Sequence, residues 1–166
     1  SPGTYPEFNI TISTPISIIG EEGAEKTIVD QQGKGRGFII NIPEDKMVKI
    51  VGLTIQNANG SRTAGLQIQL NTGELELHKC IIQGSVNGNH VISNRQGPEL
   101  NHKLLVQDSI IRNNRVENMA GIVFGVARNC LFYSNSGWNA ADVLRQSEAY
   151  NCTIYGNGGG ALGNPW

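Results

Sequence analysis

Two stretches of the chain share nearly the same ten letters: "NCLFYSNSGW" (129–138) and "NCTIYGNGGG" (151–160), 22 residues apart. A repeat at that distance marks a solenoid, in which one coil buries its apolar face only against the next. Working outward from these two gives a column of six segments: "ISIIG" (16–20), "LTIQN" (53–57), "CIIQG" (80–84), "SIIRN" (109–113), "CLFYS" (130–134) and "CTIYG" (152–156). Their first letters are Ile16, Leu53, Cys80, Ser109, Cys130 and Cys152, and their third are Ile18, Ile55, Ile82, Ile111, Phe132 and Ile154. Positions two apart lie on one face of a strand, so both columns are expected to point inward.

The third letters are spaced by 37, 27, 29, 21 and 22 residues. A steady core with unequal spacing fits coils from which loops of different length leave one side. Further strand-like runs fall between the motifs: "TIVD" (27–30), "GFIINI" (37–42), "GLQIQL" (65–70), "GIVFG" (121–125) and "ADVL" (141–144). Others precede them: "VKIV" (48–51), "LELH" (75–78) and "LLVQ" (104–107). Two or three short strands per coil follow. No window carries a helical apolar stripe over three turns, and Gly or Asn interrupts nearly every candidate. A β-sandwich also has short strands with frequent turns, but it gives no reason for one motif to recur six times. The expected fold is all-β, a parallel β-helix of about six turns, with residues 1–166 as a single domain.

Composition narrows the functional classes. Lys and Arg (13) balance Asp and Glu (14), and the basic residues are scattered rather than gathered into the face that nucleic acid requires. No run approaches the ~18 apolar residues of a membrane span. Three cysteines lack metal-ligand spacing and are too few for a disulfide scaffold; neither metal nor cofactor is expected. Asn114, Asn135 and Asn157 follow the motif on three successive coils, where stacked side-chain amides can bond up and down the column. Cys130 and Cys152 are expected one above the other, inward, as free thiols.

The opening "PGTYPEFNITISTPISIIGEEGAEKTIVDQQGKGRGFII" (2–40) and the later "NCLFYSNSG" and "NCTIYGNGG" resemble parallel β-helix proteins of the pectin-lyase-like superfamily. In particular they resemble repeats of bacterial surface or secreted proteins. The resemblance implies a right-handed coil, as does the general bias of parallel crossovers, and an extracellular or cell-surface location. It does not imply one activity, because the fold hosts lyases, hydrolases, esterases, epimerases, adhesins and stalks. In similar proteins "PGTY" follows a first strand, and "GGGALGNPW" would lead into another coil. A segment of a longer solenoid, able to associate end to end, is the corresponding expectation.

The catalytic signatures that the resemblance would imply do not occur. Paired aspartates with G-H-G and R-I-K are missing, Asp30, Asp45, Asp108 and Asp142 are far apart in sequence, and "QDS" (107–109) falls inside the repeat. No catalytic residue is assigned. Candidate polysaccharide contacts are Asp30, Lys34 and Arg36 around "DQQGKGRG", Arg112 and Arg115 in "RNNRVEN", and Trp138. Guanidinium forks suit carboxylates, and an exposed indole can stack on a sugar ring. If Arg112 points outward, Glu148 or Arg145 would be within its reach. The leading expectation is a noncatalytic extracellular module, structural or adhesive. A glycan-binding module and a fragment of a polysaccharide-processing enzyme are the alternatives.

Overall fold

A computed structural model describes residues 1–60, 65–137, 143–158 and 162–163. Among the described residues the chain is a right-handed parallel β-helix of three main sheets, with seven strands in the first, seven in the second and six in the third, and a small two-stranded sheet beside them. One coil runs through Thr27–Asp30, Phe38–Asn41 and Met47–Val51, one strand per sheet, and the next begins with Thr54–Gln56 in register above Thr27–Asp30.

Stacking places like residues above like. In the first sheet Val29, Ile55, Ile82, Ile111, Phe132 and Ile154 form one inward column. In the second, Phe38, Ile68, Ile92, Ile122 and Leu144 do the same. Ile18, Ile50, Leu77, Val106 and Ala127 serve the third. Most of these side chains are fully buried in a single continuous core. The β-branched residues suit strands with one buried face, which is why they recur at this position.

The first copy of the motif belongs elsewhere. Ile18 pairs with Ile50 in the third sheet, and Ile16 is 48% exposed. Its place in the first sheet is taken by "TIVD", whose Val29 stacks under Ile55. The first-sheet step into Gln56 is therefore 26 residues, from Asp30, close to the 27 and 29 that follow. A strand His90–Asn94 also completes the second sheet.

Corners account for the asparagines and glycines. Between third and first sheets, Lys79, Asp108, Asn129 and Asn151 all have φ of 51–52°. Past the first sheet, Asn57, Gly84, Asn113, Ser134 and Gly156 have φ of 54–69°. Left-handed backbone turns the chain within one residue, and Asn and Gly adopt it at least cost. One insertion, residues 95–103 with a short 3₁₀ helix Pro98–Lys103, straps several coils together. Gln96 Nε2 donates to Gly73 O (3.0 Å), Lys103 Nζ meets Glu74 Oε1 (2.6 Å), and Asn101 Nδ2 donates to Gln146 O (3.0 Å).

Candidate functional site

On the first sheet, the residue after each inward Val, Ile or Phe points out. These residues are Asp30, Gln56, Gln83, Arg112, Tyr133 and Tyr155, stacked in register. They form one connected ladder. Gln56 Nε2 donates to Asp30 Oδ2 (2.8 Å), Gln83 Nε2 to Gln56 Oε1 (2.8 Å), and Arg112 Nε to Gln83 Oε1 (2.8 Å). Arg112 Nη1 donates to the Tyr133 hydroxyl (2.8 Å), and the Tyr133 and Tyr155 rings stack at 5.4 Å with planes 6° apart.

The ends of the ladder set its direction. A carboxylate only accepts and a guanidinium only donates, so both glutamine amides must point their nitrogens toward Asp30. Arg112 occupies a lone pair of the Tyr133 oxygen, which leaves the phenolic hydrogen to donate outward. The Arg112 and Tyr133 end thus offers donors and aromatic surface, a match for an acceptor-rich ligand with flat apolar faces.

Asp30 is saturated. Gln32 N (2.8 Å), Gln56 and Asn57 Nδ2 (3.1 Å to each oxygen) donate to it. Burial pushes its carboxyl upward, but these hydrogen bonds outweigh that and hold it below the ordinary aspartate value. A carboxylate held ionised in this way is a structural anchor rather than a proton donor.

The other sequence candidates separate. Lys34 Nζ donates to Gln32 Oε1 (2.9 Å) within its own turn, and Arg36 Nη1 reaches Gln69 Oε1 (3.2 Å) on the second sheet. Neither joins Asp30. Arg112 contacts Gln83 and Tyr133, while Glu148 lies on the third sheet with Tyr150 (2.7 Å). Arg115 sits in the short strand Arg115–Val116 beyond the corner, paired with Ser136–Gly137. Trp138 and Asp142 lie outside the described residues.

Inside the coil the asparagines make a second ladder. Asn114 Nδ2 donates to Asn135 Oδ1 (2.9 Å) and Asn135 Nδ2 to Asn157 Oδ1 (3.0 Å). Each also donates to a core carbonyl one coil earlier: Ile82 O, Ile111 O and Phe132 O in turn. Cys80, Ser109, Cys130 and Cys152 share another rule. Each side chain donates to the carbonyl two residues earlier, at 3.3, 2.7, 3.2 and 3.3 Å. The three cysteines are free. Burial pushes the thiol of Cys80 up to about 11 and that of Cys130 up to about 12.

The histidines do not converge. His78 stands beside Glu76 (3.4 Å) and His102 lies in the 3₁₀ helix. His90 is pushed down to about 4, by burial first and then by Arg145 and Arg95. Among the described residues no three His, Cys, Asp or Glu side chains are grouped to hold a metal ion.

No family model matches the chain, and neither a curated protein nor a solved structure matches it at a significant level. Sequence reasoning singled out Asp30 and Arg112 but passed over Gln56, Gln83, Tyr133 and Tyr155. The signal was the fourth letter of the aligned motif, which reads Q, Q, R, Y, Y from Gln56 to Tyr155.

Proposed function

We propose that this chain is a noncatalytic β-helix module of an extracellular or surface protein, adhesive in role, that holds an acidic polysaccharide on the outer face of its first sheet. The carrying observation is the outward ladder, with its donor and aromatic end at Arg112, Tyr133 and Tyr155. Arg112 would take a sugar carboxylate or hydroxyl, and the tyrosines would carry the apolar face of a ring. A sugar-processing role would call for two carboxylates and a base together; Asp30, the carboxylate of this ladder, is consumed by its own donors three rungs away from Arg112. Kinship with pectin-lyase-like proteins is part of this reading, supported by the opening sequence and the three-sheet coil.

The thiols are compatible with an oxidising compartment. Cys80 and Cys130 are buried and hard to ionise, so they resist oxidation and exchange.

Retention on immobilised polygalacturonate tests the reading. Wild type should be retarded, less so at high salt because the guanidinium contact is screened, and Tyr133→Ala and Arg112→Ala should each elute earlier with unchanged folding. Absence of retention on a panel of acidic polysaccharides, or retention indifferent to both variants, would refute it.

A further inference from the structure

The first-sheet ladder does not continue as a binding strip along the coil axis. Below Arg112 the rungs are Gln83, Gln56 and Asp30, whose side chains are spent on one another. Sideways the surface differs. The stretch "YNCTIY" (150–155) runs from the third sheet through the corner into the first. Cys152 and Ile154 turn toward the core, while Tyr150, Asn151, Thr153 and Tyr155 are exposed. Two phenol rings thus flank one left-handed corner, on the same coil.

Tyr150 is held as Tyr133 is. Arg128, one rung below, places its guanidinium 5.5 Å from the Tyr150 ring centroid, as Arg112 stands 6.0 Å from that of Tyr133. The Tyr150 hydroxyl donates to Glu148 Oε2 (2.7 Å), which fixes the ring's tilt. Between the two rings the corner carries a polar ladder of its own: Asn151 Nδ2 donates to Asn129 Oδ1 (2.9 Å) and Asn129 Nδ2 to Asp108 Oδ1 (3.1 Å). The corner is a row of two carboxamides and the Asp108 carboxylate, between Tyr150 backed by Arg128 and Tyr155 stacked on Tyr133.

We infer that Tyr150, backed by Arg128 and Glu148, is a second sugar-stacking subsite, and that one glycan chain crosses the corner from Tyr155 to Tyr150 over Asn151 and Thr153. The inference rests on the glycan-binding reading above and adds the direction of the chain and its far contact. Stacking at both ends makes binding depend on glycan length, because the second contact becomes intramolecular only once the chain spans the corner.

The test is a titration with uronate oligosaccharides from dimer to octamer, with neutral gluco-oligosaccharides alongside. Wild-type affinity should step up at the length that spans the corner. Tyr150→Ala should erase the step, a loss of roughly three- to tenfold for long oligomers, comparable to one aromatic contact, and leave short oligomers unaffected. Tyr150→Phe should keep the step, which separates stacking from the hydroxyl's bond to Glu148. If Tyr150→Ala binds every length as wild type does while Tyr133→Ala fails, the subsite is refuted and the first-sheet reading stands. If wild type binds no oligomer, both fall.

Discussion

At position 135 one carboxamide serves three coils. Its oxygen accepts from Asn114 N (3.3 Å) and Asn114 Nδ2 (2.9 Å), and its nitrogen donates to Ile111 O (2.8 Å), all in the buried interior, and to the half-buried Asn157 Oδ1 (3.0 Å). Truncation leaves several of these groups unpaired where water does not reach. Asn135→Ala should therefore lower the unfolding free energy by about 2–4 kcal/mol, read from urea denaturation. The neighbouring column predicts the reverse kind of result. Ser109 already makes the bond to the carbonyl two residues back that Cys130 makes. Cys130→Ser should cost less than about 1 kcal/mol, although a hydroxyl is being placed in a core, because its partner carbonyl is waiting.

At the level of strands, the repeat was legible and its phase was not. The inward positions Ile55, Ile82, Ile111, Phe132 and Ile154 follow from the motif alone, since one side-chain period governs a strand wherever it lies. That same generality misplaced Ile16 and Ile18. An alternating aliphatic run ending in glycine looks alike on the first and third sheets, and only pairing with Ile50 distinguishes them. Asn114, Asn135 and Asn157 were legible as a column, whereas the left-handed corners fall on other residues, among them Asn57, Asn113, Asn129 and Asn151. The outward ladder was hidden because Gln, Arg and Tyr share no composition signal; they matter only as neighbours. Close packing between strands gives another test. A methyl on Gly121 would sit 1.9 Å from Val143 O, a backbone atom that cannot swing aside. Gly121→Ala should cost at least about 2 kcal/mol, measured as a fall in the urea midpoint.

Over the whole molecule, stability is shared between neighbouring coils, so a defect in the middle should uncouple both sides. Ile111 is fully buried between Ile82 and Phe132, and Ile111→Asp should abolish the cooperative transition seen by circular dichroism, because a charge would be stranded in the core. Acid should act through Asp30. Its carboxyl is held below the ordinary value, so its contribution is present above the usual aspartate pKa and is lost as pH falls through the lowered folded value. Asp30→Asn should flatten that acid limb of the stability profile, and an unchanged limb would place the sensitivity elsewhere. The most direct test of the binding face is a map of side-chain amide and guanidinium NMR shifts as polygalacturonate oligomers are added. The account predicts movement of the Gln83 amide and Arg112 Nε–H signals on the outer ladder, with Asn114 and Asn135 inside the coil unmoved. Saturable binding that shifts neither Gln83 nor Arg112 would contradict it.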